Sequence, residues 1–275
     1  MKNSSFIFKI LQVLFEKVYS NKLIKSIHQI IQNINFNLIR KFETQVVIRL
    51  DDYKRKRLLS KNTVETNFIN YIKNSISNPK IILELGSRDG IQSIEFARLF
   101  PNAKIYAFEC HPPNIKRCIR NTKHMKNIEI VPKAVFNKNG TIKFYSSISR
   151  NTGVGSLYRA SRKYDVIEKI PQKEIIVNST RIDTWANKKN VKKIDLCWID
   201  LQGAEYETLE SMGNMIFDID ALFIEVELQE IYNGVKLYDD ILNLMEDKGF
   251  SMIKFHEGIE KWFGNAIFLN NNLIK

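Results

Sequence analysis

Several groups of residues in this 275-residue chain combine chemistry-bearing types with telling spacing. The first is Glu84-Leu85-Gly86-Ser87-Arg88-Asp89-Gly90, which directly follows the apolar run Ile81-Ile82-Leu83. Glycines at a strand-to-helix turn let the backbone bend sharply and approach a ligand closely. In a doubly wound sheet, ligands bind outside the carboxyl ends of the strands. A dinucleotide site asks for G-x-G-x-x-G with its pyrophosphate over a helix N-terminus. Here the spacing is E-x-G-x-x-x-G, and the leading carboxylate would repel a pyrophosphate. An acidic residue there suits a ligand with an amine and no phosphate, which points to S-adenosylmethionine (SAM). Glu84, Gly86, Ser87, Asp89 and Gly90 are therefore candidate cofactor contacts. The plainer alternative is an ordinary tight turn.

A second acidic group, Glu109, ends the next apolar run, 19 residues beyond Gly90. A carboxylate at the end of a second strand can accept hydrogen bonds from both ribose hydroxyls. Ala134, beyond the third strand, joins the cofactor candidates. Asp200 follows the buried run Ile194 to Ile199, and Glu225 lies in the next one. Neighbouring strands would bring both carboxylates to one site. Methyl transfer from a sulfonium is an in-line displacement, so its chief requirement is alignment of acceptor and methyl carbon. An alcohol acceptor also gains from a group that takes its proton. Asp200 is the first candidate for that work, both as catalyst and as cofactor neighbour, and Glu225 is the second. A competing reading makes Asp200 a cap for the following helix. Glu205 in a first helical turn is favoured by the helix dipole in any case. His256, near the end of a late strand, is a third catalytic candidate, since imidazole titrates near neutral pH. For it, as for His28, His111 and His124, a non-catalytic histidine is the plainer reading. Asn151-Thr-Gly153-Val-Gly155-Ser156 reads either as a lid over the site or as a simple connector.

With these residues in place, the chain resembles the FkbM-type family of SAM-dependent methyltransferases. The resemblance rests on Glu84–Gly90, on Phe108-Glu109 with Pro112 and Asn114, on Arg181-Ile-Asp183-Thr-Trp185, and above all on Asp200-Leu-Gln202-Gly203-Ala-Glu205. It spans roughly residues 79–270. It implies a class I methyltransferase fold, SAM as donor and a hydroxyl acceptor, often on a sugar or polyketide. Cys110-His111 stands where a shorter Glu-Pro junction is usual in that family.

The elements that must position these residues follow from the hydrophobic pattern. From Lys80 onward, short apolar runs alternate with amphipathic stretches, which predicts an α/β fold, Rossmann-like, with a mainly parallel sheet and helices on both faces. Strands are predicted at 81–85, 104–108, 128–131, 141–147, 194–199, 221–228, 250–255 and 265–269. Helices are predicted from 91 to before Pro101, from Pro112 to about 124, over 204–212, and around Tyr238–Met245 with Gly249 as its stop. Residues 1–78 form a separate helical arm, and 79–275 the methyltransferase domain.

Charge divides the same way. Residues 1–78 carry 14 basic and 5 acidic side chains, leaving 28 and 25 for the remainder. The basic character thus belongs to the arm, with Lys54-Arg55-Lys56-Arg57 as its densest run. An apolar stripe at helical spacing, Ile7 to Val18, predicts either peripheral contact with an anionic inner membrane face through residues 1–25, or packing on the catalytic domain or, as a homodimer, on a second copy of the chain. A helix is also predicted from Thr63 to Asn78. Three cysteines fit neither a disulfide framework nor a zinc site, and a cytoplasmic location is expected. Asp200 and Glu225 could ligate Mg²⁺, but two carboxylates are too few to assign a metal site. A nucleic-acid methyltransferase is the rival enzyme. However, Asp200-Leu-Gln-Gly occupies the place of the Asn/Asp-Pro-Pro-aromatic loop that base methylation needs, so no nucleic-acid partner is expected. A non-catalytic scaffold of the same fold is a further alternative, and the retained Glu84, Gly86, Glu109 and Asp200 argue against it. The expected acceptor is a small molecule or a glycan.

Overall fold

A computed structural model describes residues 71, 76, 78–147, 152–161, 172–258 and 261–274. The predicted arm helices, the basic run 54–57 and most of the helix predicted over 63–78 lie outside the described residues.

The chain runs β1 (Ile81–Leu85), α1 (Ile91–Leu99), β2 (Lys104–Phe108), α2 (Pro112–Thr122), β3 (Ile128–Val131), β4 (Ala134–Val135) and β5 (Gly140–Ser147). It continues through β6 (Gln172–Thr180), α3 (Ile182–Lys189), β7 (Ile194–Ile199), α4 (Glu205–Glu210), β8 (Ile219–Glu227), α5 (Tyr238–Asp247), β9 (Phe250–Glu257) and β10 (Phe263–Asn270). Seven strands form one sheet in the order β3-β2-β1-β7-β8-β10-β9. The first five are mutually parallel, and β10 runs antiparallel to both its neighbours. Strand order reverses between β1 and β7, so the carboxyl ends of those two strands flank the crevice where such sheets bind ligands.

Burial explains why these runs become central strands. All six residues of β7 are buried, as expected of a strand covered on both faces. Alternate side chains of β1 enter two different cores. Leu83 and Leu85 join Ile182 and Trp185 of α3, Leu209 of α4 and Ile241 and Met245 of α5. Ile82 joins Phe96 and Ala97 of α1 on the opposite face. The period-2 alternation of strands thus divides the helices between two layers. Trp198 and Phe223, on adjacent strands, stack with ring centroids 3.7 Å apart.

Several elements differ from the predicted set. The predicted strand at 141–147 is β5, but it pairs with an unpredicted strand, β6, and β4 completes a separate small sheet in the order β4-β6-β5. β6 escapes a pattern search because Ile176, one of its apolar residues, is exposed. α3 was not predicted either. It is short, starts without a side-chain cap and stops at Asn190, whose backbone is left-handed (φ 55°). β8 begins at Ile219, two residues before the predicted start.

Candidate active site

A cavity of about 450 Å³ opens at the carboxyl ends of the central strands. From β1 and β2 come Gly86, Arg88, Phe108, Glu109 and Cys110. From β7 and β8 come Asp200, Gln202, Glu225 and Glu227. Gly86 is forced on this turn twice over. Its φ is +92°, and a Cβ there would lie 1.9 Å from the Asp200 carbonyl oxygen, so any side chain would push β1 away from β7.

The glycine loop is held by its own acidic residues. Glu84 is buried and accepts hydrogen bonds from the hydroxyls of Ser87 (3.0 Å) and Ser93. Asp89 accepts from the Ile91 amide at the start of α1. The Gly86 and Ser87 amides both donate to the Phe108 carbonyl, tying the loop to the end of β2. Glu84, Ser87, Asp89 and Gly90 therefore stand behind the cavity as its scaffold, whereas Gly86 is in its wall.

Glu109 is also buried yet reaches the cavity. Its Oε1 accepts from the Cys110 and His111 amides at 2.8 and 2.7 Å, and its Oε2 from the Arg88 amide at 2.8 Å. A longer bond, 3.4 Å from Asn114 Nδ2, completes the set. Burial raises its pKa, against the pull of the amide hydrogen bonds. A carboxylate has about four lone-pair sites, so the stretched Asn114 bond is the contact that a ribose hydroxyl would displace. Ala134 contributes to the same wall.

Across the cavity, Gln202 organises the acidic end. Its Nε2 donates to Asp200 Oδ1 and to Glu225 Oε1, both at 2.8 Å, and its Oε1 accepts from the Tyr232 hydroxyl at 2.9 Å. Asp200 and Glu225 are therefore brought together, through a bridge that no role had been assigned to. Burial first and the Asp200 charge second push Glu225 well above the usual carboxylate range. Glu205 ties down the turn before α4, whose start has no side-chain cap: it accepts from the Leu201 and Gly203 amides at 2.7 and 2.9 Å, and burial raises its pKa to about 8. Glu227 lines the cavity beyond Glu225, and burial followed by the charges of Glu205 and Asp200 raises it to about 9.

Other candidates lie apart. His256 is exposed on β9 and does not line the cavity, because its partner in the ladder, Asn265, stands between β9 and β8. His111 is buried beneath, with Nε2 2.8 Å from the Ser146 hydroxyl, and burial lowers its pKa. His124 is exposed, and His28 is outside the described residues. In the glycine loop, Asn151 is likewise outside them, but Gly153, Val154, Gly155 and Leu157 form a wall of the cavity. Ser156 fixes that wall, exchanging backbone hydrogen bonds with Tyr145 and donating from its hydroxyl to the Gln202 carbonyl at 2.6 Å. The Arg181–Trp185 motif is structural. Arg181 pairs with Asp183 at the start of α3, and Trp185 packs edge-on against Tyr106 and Phe108, beneath the Glu109 strand end.

The donor set fits SAM. Glu109 can accept from a ribose hydroxyl that takes the place of Asn114, and Phe108, Ala134 and Val135 offer apolar contact beside it. Arg88 lines the cavity with a buried Nε that lacks a hydrogen-bond partner, which matches the carboxylate of an amino acid.

The methyltransferase FkbM domain matches residues 84–252, which include all of these residues. The chain belongs to the FkbM methyltransferase family. It is a SAM-dependent methyltransferase. It is 26% identical over 208 residues to the 2-O-methyltransferase NoeI of Sinorhizobium fredii (strain NBRC 101917 / NGR234), covering 70% of this chain and 80% of that relative. That likeness supports oxygen as the atom that receives the methyl group. Among solved structures, the Aeropyrum pernix fibrillarin with natively bound S-adenosyl-L-methionine aligns with a TM-score of 0.44 at 12% identity, over 70% of this chain and 67% of that one. The precorrin-6y C5,15-methyltransferase of Geobacter metallireducens GS-15 aligns with a TM-score of 0.43 at 12% identity, over 78% and 92%.

Proposed function

We propose that this FkbM-family enzyme methylates a hydroxyl group of a sugar, in a glycan or glycolipid acceptor. The observation that carries this reading is the Asp200–Gln202–Glu225 bridge at the cavity wall. SAM supplies, when bound, an electrophilic methyl carbon on a sulfonium. The chain's own residues do the rest. The Gln202 amide holds both carboxylates in fixed positions, and Tyr232 in turn fixes the amide. Because Glu225 is the member of the pair that burial and its neighbour drive towards the protonated form, Asp200 is the carboxylate suited to accept the hydroxyl proton. Alignment of that hydroxyl by a pre-set acceptor accounts for more of the rate than the proton transfer alone. A polyol gives such a wall several hydroxyls to grip, and the likeness to the 2-O-methyltransferase NoeI supports a hydroxyl at one defined position as the target.

The test is transfer from methyl-labelled SAM by the purified full-length protein to free sugars, oligosaccharides, glycolipids and RNA. Label in an alkali-stable sugar ether is the expected result. Label confined to RNA, or absent from every glycan, would overturn the reading.

A further inference from the structure

β8 presents Glu225 and Glu227 two residues apart, hence on one face of the strand, and both line the cavity. Glu227 is only 3% exposed, and its Oε2 has no hydrogen-bond partner. A buried acceptor left in this state costs free energy unless a ligand supplies a donor. Asp200 and Glu205 add to the same negative field, each raising the proton affinity of Glu227. Among the described residues, neither Glu225 nor Glu227 forms an ion pair with a lysine, arginine or histidine. The cationic residues of the cavity, Arg88 and Lys133, come from the β1 turn and the segment after β3, at the other end of the sheet order.

We infer that the β8 end of the cavity recognises an ammonium group on the acceptor, so that the sugar methylated is an amino sugar with a free amine. This rests on the sugar reading above and narrows it. An ammonium brings three donors and a positive charge, so it satisfies Oε2 and relieves the repulsion among the carboxylates at once. A neutral hydroxyl does only the first. The sulfonium of the donor does only the second, since it carries no hydrogen to donate, and the donor's own ammonium sits on the carbon that bears the carboxylate matched to Arg88, at the β1 turn. Among the described residues, no three His, Cys, Asp or Glu are placed to hold a metal ion. Trp262 and Phe263 line the same end, and aromatic residues there also favour a cation.

The test is binding of matched sugars to the full-length protein saturated with S-adenosylhomocysteine, followed calorimetrically. The probes are glucosamine, galactosamine and mannosamine, each beside its N-acetyl form and its parent hexose. At least one free amino sugar should bind tenfold or more tightly than both of its counterparts. In Glu227→Gln that preference should fall to less than threefold, with S-adenosylhomocysteine affinity unchanged as proof of an intact fold. The wild-type comparison decides even if the variant does not fold. Hexoses or N-acetyl sugars binding as well as the free amines would overturn the ammonium subsite and leave the sugar reading standing. If no sugar binds while S-adenosylhomocysteine does, both fall together.

Discussion

The two ends of the cavity use carboxylates in opposite ways. At the β1–β2 end, Glu84 and Glu109 are surrounded by donors from their own chain: two serine hydroxyls for one, and three backbone amides with Asn114 for the other. At the β7–β8 end, Asp200 and Glu225 share one amide donor, and Glu227 has an oxygen with none. Satisfied acids build a rigid loop, while an acid with an oxygen left unpaired, as Glu227 has, favours a ligand that supplies a donor. One end has its acids paired before anything binds. The other is completed by its acceptor.

Breaking the acceptor end at its proton-accepting group should give the largest effect. Asp200→Asn is expected to lower turnover at least about a hundredfold while SAM affinity stays within about twofold, as measured by single-turnover kinetics and calorimetry. Gln202→Leu removes the shared donor and leaves two carboxylates facing each other. We expect roughly a thirtyfold loss of kcat with little change in SAM binding, and an equal loss of SAM affinity would show that the bridge belongs to the cofactor end instead.

At the β1–β2 end the expected change is in binding and stability together. Glu109→Ala should weaken SAM binding about tenfold or more, because charge-assisted hydrogen bonds are worth about 1.5–3 kcal/mol each. It should also lower Tm, because the Arg88, Cys110 and His111 amides lose their acceptor. Unchanged affinity would remove Glu109 from the cofactor site.

The smallest effect is in the pH dependence of stability. Glu205 and Glu227, at about 8 and about 9, hold protons more tightly in the folded protein than in the unfolded chain. Stability should be greatest below the ordinary carboxylate value and fall as pH rises through the folded values. For the unliganded protein we expect Tm to drop by roughly 5 °C between about pH 5 and about pH 9, with a shallower slope in Glu227→Gln. A Tm that rises over that interval would contradict the electrostatics of the β8 end.

Much of this was legible in the sequence, for physical reasons that differ by element. The central strands are fully buried, so their apolar runs are unbroken and their order along the chain announces an α/β sheet. Gly86 and Glu109 were readable because a turn and a strand end constrain residue type strongly. Asp200 and Glu225 were placed together because the sheet that the family resemblance implies makes their strands neighbours. Gln202 lay inside a recognised motif, but its role depends on a side-chain orientation set by Tyr232, 30 residues later. Glu227 could have been found from period-2 spacing after Glu225. β6 and α3 could not: one shows solvent an isoleucine, and the other is short and uncapped. His256 looked favourable by chain position, yet the sheet inserts β10 between it and β8.

The Ser156 hydroxyl bond to the Gln202 carbonyl has a mechanical consequence. The residue that ties down the wall grips the same peptide whose side chain spaces the two carboxylates. If residues 152–157 swing outward to let product leave, that tether must part first, and the spacer loses one of its anchors. Opening the vessel and slackening its working parts are then a single event. The acids would be drawn taut again only when the wall returns over the next acceptor.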